Sequence, residues 1–109
     1  MSKLTVIIPT YNEIDYIEDA IKSIEFADEI IVIDSFSSDG TKEKATALGC
    51  KVIDRKFDNF SSQKNHAISY ATGDWVLFID ADERVSQKLK IEILSVIQNG
   101  KHQGYKLQF

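Results

Sequence analysis

This sequence is poor in the residues that build special-purpose chains. Among 109 residues there are one cysteine, one proline, one tryptophan and one methionine. The lone cysteine, Cys50, excludes an intrachain disulfide and with it a disulfide-stapled scaffold. One proline and five glycines are too few for a collagen-like or low-complexity chain. No basic run or aromatic-basic interleaving offers a nucleic-acid surface, and the formal net charge is −4 with both signs interspersed. No apolar run is long enough to cross a bilayer. Met-Ser-Lys leads straight into an apolar segment, without a signal-peptide cleavage pattern. These absences leave a soluble globular protein, expected in the cytoplasm.

What is present fits one modest core. Hydrophobic residues make up 43% of the chain and charged residues 28%. A single domain over residues 1–109 is expected, with a thin stability margin at this size.

Two periodicities alternate along the chain. Leu4–Ile8 is almost wholly apolar, the pattern of a strand covered on both faces. From Asn12 the apolar residues Ile14, Ile17, Ile21 and Ile24 recur at helical spacing, with acids near the start, where the helix dipole favours them. Glu29–Ile33 reads as a second buried strand ending at Asp34. A helix of Lys42–Leu48 follows, closed by Gly49 and capped by Asp39. Lys51–Asp54 reads as a third strand, and Ser61–Ala71 as a helix with Ala67, Ile68 and Ala71 inward. Trp75–Ile79 is the strongest strand. Ser86 caps a last helix with Leu89, Ile93, Leu94 and Ile97 as its apolar positions, and Gly104–Phe109 reads as a final strand. Such alternation predicts an α/β fold, a mainly parallel sheet with helices on both faces.

In an open parallel sheet, ligands bind beyond the carboxyl ends of the strands. Three of these ends carry unusual polar groups. The first strand runs into Pro9-Thr10-Tyr11-Asn12-Glu13, the second ends in Asp34, and the fourth ends in Asp80-Ala81-Asp82. Two carboxylates separated by one small residue can face one cleft from a turn, and they repel unless a cation or a hydroxyl-rich ligand lies between them. Mg²⁺ and Mn²⁺ favour oxygen ligands and are commonly held by one or two carboxylates together with phosphates. Asp34 reads as a ligand contact or a loop acid, and Tyr11 as core packing or a platform for a base. Asn12 and Glu13 also fit a helix start. Lys64, early in the third helix within Gln63-Lys64-Asn65, either neutralises a phosphate or is solvated. His66 and His102 lack partner spacing for a metal site or a triad and read as surface residues.

The run Val6-Ile7-Ile8-Pro9-Thr10-Tyr11-Asn12-Glu13 resembles the opening of the family-two glycosyltransferases with the GT-A fold. Ile31–Thr41 resembles their second signature, and Asn65-His66-Ala67 with Ala71–Glu83 the third. Order and spacing match over nearly the whole chain. Gln63-Lys64-Asn65 and the Ile-Asp-Ala-Asp-Glu-Arg-Val segment are most similar to the branch that adds sugars to bacterial lipopolysaccharide core.

The resemblance implies a Rossmann-like nucleotide-binding half and an inverting transfer from a UDP-sugar, UDP-glucose or a relative, to a glycan or glycolipid acceptor. Catalysis would then take place in the cytoplasm or at the inner face of the membrane, without a transmembrane segment. It implies that Pro9, Thr10, Tyr11 and Glu13 line the nucleotide pocket and that Asp34 hydrogen-bonds the uracil. Asp80 would meet the ribose or metal region, and Asp82 would coordinate the Mg²⁺ or Mn²⁺ bridging the diphosphate. Where many members have a second Asp and then Gly after the position of Asp34, this chain has Ser35 and Phe36. The family's catalytic base and acceptor segments are expected beyond Phe109, so the chain is expected to be cut before its acceptor part.

Rival classes make different demands. A receiver-like regulatory domain needs an acid pair after the first strand, where Thr10, Tyr11 and Asn12 stand. A dinucleotide-dependent oxidoreductase needs G-x-G-x-x-G there, and it is absent. A non-catalytic nucleotide-binding module remains the alternative.

Overall fold

The computed structural model describes residues 3–99 and 107–108. Among the described residues nine elements follow in order: β1 (Leu4–Thr10), α1 (Ile17–Ser23), β2 (Glu29–Asp34), α2 (Thr41–Ala47), β3 (Lys51–Asp54), α3 (Phe60–Ile68), β4 (Trp75–Phe78), α4 (Gln87–Asn99) and β5 (Leu107–Gln108). The strands form one parallel sheet in the order β3-β2-β1-β4-β5. The chain therefore winds outward from β1 to β3, then crosses back to the other side of β1. That reversal between β1 and β4 is the topological switch point of a doubly wound sheet.

The central strand explains its own composition. Six of the seven residues of β1 are buried. Leu4, Val6 and Ile8 join a core with Ile17, Ile21 and Ile24 around α1, Ala45 of α2, and Ile93 and Ile97 of α4. Ile7 enters a second core with Ile31, Ile33, Val76, Ala67 of α3 and Ala71. Side chains alternate across a strand, so a continuous apolar run serves two helical layers at once. The expected helices on both faces are thus present.

Boundaries differ from the periodicity where hydrogen bonds compete. The first helix starts at Ile17 rather than near Asn12, because Asn12 sits at φ +53° and side chains capture the next two N–H groups. Glu13 donates to Thr41 Oγ1 (2.9 Å) and Ile14 to Asp39 Oδ2 (3.1 Å). The third helix runs Phe60–Ile68 instead of Ser61–Ala71, capped by the Asn59 side chain, which accepts from Ser62 N–H at 2.8 Å. Ser86 caps α4 as expected, accepting from Leu89 N–H (3.1 Å). Only Ile93 and Ile97 of the four apolar positions expected on α4 are buried, while Leu89 and Leu94 are exposed. Gly49 closes α2 at φ +90°, the left-handed turn that lacks a steric cost without Cβ. Of the expected final strand, Leu107–Gln108 pairs with β4, and the rest lies outside the described residues. His102 does too. Among the described residues no helix is long and apolar enough to cross a membrane.

Candidate active site

The crevice at the switch point follows from unequal pairing. β1 pairs with β2 as far as Thr10↔Asp34, but with β4 only as far as Ile7↔Phe78. On β1 the odd residues face β4, since Ile79 N–H donates to Ile7 C=O (3.1 Å); the even ones face β2, since Ser35 N–H donates to Thr10 C=O (2.9 Å). Pro9 is odd. Its missing N–H therefore points where β4 has already turned away, so a proline inside a central strand breaks no ladder bond.

Where β4 leaves, Asp80–Glu83 makes a tight turn. Asp80 N–H donates to Glu83 Oε1 (2.7 Å), and Glu83 N–H returns to Asp80 C=O (2.9 Å). Ala81 is buried in the main core, whereas Asp80 and Asp82 on either side are exposed. The small residue anchors the turn and leaves both carboxylates in the cleft. Val85 N–H donates to Ser23 Oγ (3.0 Å), which ties the turn to α1. The Arg84 guanidinium is engaged by the carbonyls of Ala81 (3.0 Å) and Glu83 (2.8 Å).

The β1–α1 and β2–α2 loops are sewn together beside this turn. Asn12 N–H donates to Ser37 Oγ, and Ser38 N–H donates to Asn12 Oδ1, both at 2.8 Å. Asp39 accepts from Ile14 N–H (3.1 Å) and Thr41 N–H (3.0 Å), so Asn12 and Asp39 both serve the structure of these loops. Phe36 adopts φ +59°, a region uncommon for a bulky residue.

The resulting cleft has a volume of about 590 Å³, within the range of small-molecule sites. Pro9, Thr10, Tyr11, Glu13, Asp80 and Asp82, all named from the sequence, line it together. Tyr11 is 62% exposed, which fits a platform and not a core residue. Two expected site residues stand elsewhere. Asp34 is fully buried and absent from the lining; its carboxylate accepts from Thr10 Oγ1 (2.6 Å), Ser37 Oγ (2.6 Å) and Ser37 N–H (2.8 Å). Its position, paired with Thr10 at the strand ends, turns it toward the loop it supports. Lys64 lines an adjoining cleft of about 250 Å³, with its ammonium 5.1 Å from the centre of the Phe78 ring.

Sequence reasoning missed the opposite wall. Lys56, Phe57 and Phe60, from the β3–α3 loop and the start of α3, line the cleft with Gln63 and Ser35. Phe57 and Phe60 meet edge to face, their centroids 5.1 Å apart, yet Phe60 is 72% exposed. Two phenylalanines in a short polar loop just past a strand end were the available signal.

The cleft is acidic on the β1–β4 side. Burial pushes the Glu13 carboxyl above its ordinary value, and the negative charges of Asp82, Asp39 and Asp80 push the same way. Among the described residues no cation pairs with Asp80 or Asp82. None of them form a cluster of three or more carboxylate, imidazole or thiol groups able to hold an ion alone. Two free carboxylates on one turn fit a hard cation that takes its other ligands from phosphate and water. They do not fit a site built wholly from protein.

A model of the family described as "Glycosyl transferase family 2" matches residues 5–109. The chain is 45% identical over 94 residues to a protein described as an uncharacterized glycosyltransferase of Rickettsia typhi, covering 85% of this chain and 32% of that one. It is 36% identical over 118 residues to the GalNAc(5)-diNAcBac-PP-undecaprenol beta-1,3-glucosyltransferase of Campylobacter jejuni, covering 96% of this chain and 36% of that one. The chain thus spans about a third of the length of these curated relatives. Among solved structures, glucosyl-3-phosphoglycerate synthase from Mycobacterium tuberculosis, in complex with Mn²⁺, UDP and glucosyl-3-phosphoglycerate, superposes with a TM-score of 0.75 at 27% identity. That match covers 92% of this chain and 41% of the synthase.

Proposed function

This chain belongs to glycosyl transferase family 2, and from that premise we propose that its cleft binds the UDP moiety of a sugar donor for an inverting, cation-dependent transfer. The observation that carries this reading is the placement of Asp80 and Asp82 on either side of buried Ala81. Both carboxylates face one cleft with exposed Tyr11 at the switch point. The similar mycobacterial synthase has been crystallised with Mn²⁺ and UDP, which supports a Mg²⁺ or Mn²⁺ ion here as well.

Each residue has a role that follows from its chemistry. Tyr11 offers a ring face to the base, in a cleft that Pro9 and the Phe57–Phe60 pair also line. Asp82, with Asp80, would hold the cation, which when bound supplies Lewis-acid stabilisation of the leaving diphosphate. Asp80, an acceptor lining the same cleft, would also suit a ribose hydroxyl. Glu13 adds negative charge beside them, and a divalent ion relieves the repulsion among these carboxylates. Thr10 lines the pocket and is held by its bond to Asp34. Lys64, which lines the adjoining cleft, would neutralise a phosphate of the donor.

The donor is a UDP-sugar, UDP-glucose or a relative, and the acceptor a glycan or glycolipid such as lipopolysaccharide core, handled in the cytoplasm or at the inner face of the membrane. Supporting this are the Gln63-Lys64-Asn65 and Ile79–Val85 segments and the undecaprenol-linked substrate in the Campylobacter relative's name. The deciding experiment is titration calorimetry of UDP and UDP-glucose with MnCl₂ or with a chelator. Tighter binding with the cation is expected. Equal binding in both conditions would remove the cation from the reading, and no binding in either would remove the donor.

A further inference from the structure

The cleft contains a buried amide whose orientation is fixed, and fixed amides discriminate bases. Gln63 is 4% exposed and lines both the main cleft and the adjoining one. Its Nε2 donates to Ser35 Oγ, and its Oε1 accepts from Arg55 Nη1, each at 3.3 Å. Arg55 is held in turn by Asp58, through contacts of 2.8 Å and 3.2 Å to the two carboxylate oxygens. A guanidinium has five donors and no acceptor, so only the oxygen of the amide can face it. After these contacts Gln63 retains one N–H and one oxygen lone pair.

We infer that Gln63 reads the hydrogen-bonding edge of the nucleotide base, and that Arg55 is a positioning residue that sets this amide for uracil against cytosine. The inference rests on the donor reading given above and deepens it. Asp34 is buried, is absent from the cleft lining and accepts from Thr10 and Ser37, whereas the Gln63 amide lines the cleft with a donor and an acceptor left over for a base. A primary amide places an acceptor beside a donor. Uracil offers the complement, its ring N3–H beside the O4 carbonyl. Cytosine offers the reverse, an unprotonated N3 beside an amino group, and would match only a flipped amide. The flip would set the amide NH₂ against Arg55, donor against donor. Tyr11, Phe57 and Phe60 line the same cleft and supply ring surface for the base plane without reading its edge.

The experiment is calorimetric titration of the chain with UDP and with CDP in MnCl₂, for the unaltered protein, Gln63→Ala and Arg55→Met. The unaltered protein is expected to prefer UDP. Gln63→Ala should lose roughly tenfold in UDP affinity, as for one bidentate base contact, with its UDP-to-CDP ratio falling toward one. Arg55→Met should keep most of its UDP affinity and gain affinity for CDP, because the released amide can turn over. Damage to packing would not produce that gain. Arg55 is also more exposed than Gln63, so its variant keeps the test open if Gln63→Ala unfolds. A Gln63→Ala protein that folds and retains the original ratio would overturn the inference, as would an Arg55→Met protein that weakens both nucleotides equally. If the unaltered protein binds neither nucleotide, the donor reading itself fails and takes this inference with it. If it binds both equally, only the inference fails.

Discussion

Thr10 donates a 2.6 Å hydrogen bond to the carboxylate of Asp34, and both residues are buried at paired positions on the ends of β1 and β2. The same carboxylate accepts from the hydroxyl and the N–H of Ser37. Ser37 Oγ in turn accepts from Asn12 N–H. One acid thus ties the two loops that border the cleft.

Removing that acid should therefore appear first as lost stability. Asp34→Ala leaves three buried or half-buried donors without their acceptor, and unmade bonds of this kind cost about 1–3 kcal/mol each before relaxation and water recover part of it. A loss of about 2–4 kcal/mol in urea unfolding is expected. UDP affinity measured where the variant is still folded should fall less than that. A variant as stable as the parent that has lost UDP would show instead that Asp34 touches the base.

Asp82 should behave in the opposite way. It is exposed and takes part in no ion pair among the described residues, so Asp82→Ala should shift unfolding by no more than about 0.5 kcal/mol. The dependence of UDP binding on Mn²⁺ should nonetheless disappear. Calorimetry with and without chelator decides this, and a persistent cation effect would move the ion to other groups.

Gly73 tests the fold apart from the site. A Cβ there would lie 2.6 Å from Thr5 Oγ1 and 2.7 Å from Thr5 N, both in the central strand. Gly73 N–H also donates to Thr5 Oγ1 (2.9 Å), whose own proton goes to Glu29. Gly73→Ala must push strand and turn apart, at a cost of about 1–3 kcal/mol in the range of overpacking. An unchanged urea midpoint would contradict this account.

Cys50 provides a pH test. Burial pushes its thiol from 9.0 up to about 11. The folded form therefore holds its proton where the unfolded chain has lost it. The stabilisation is complete below pH 9 and is lost as pH rises through about 11. Labelling by a thiol reagent at pH 8 should be slow in the folded protein and should accelerate on unfolding in urea. Fast labelling of the folded chain would show that the thiol is accessible.

The sequence by itself determined the strands, the two helical layers and the acidic turn. A short continuous apolar run bounded by turn residues reads as a doubly covered strand, and Asp-Ala-Asp at such a strand's end has to emerge at the carboxyl edge. These are local facts, carried by the periodicity and by the size of one alanine. The glycine-like backbone at Phe36 was not legible, because the side chain conceals a conformation that the loop imposes. Nor was the fate of Asp34, which depends on Thr10, 24 residues away in sequence and adjacent only once β1 and β2 are paired. That Phe57, Phe60 and Gln63 form one wall of the cleft was likewise decided by the tertiary structure: α3 reaches the cleft because the chain crosses back over the sheet to form β4. Which polar groups remain free for a ligand is what partners leave over, and partners distant in sequence are chosen by the tertiary structure alone.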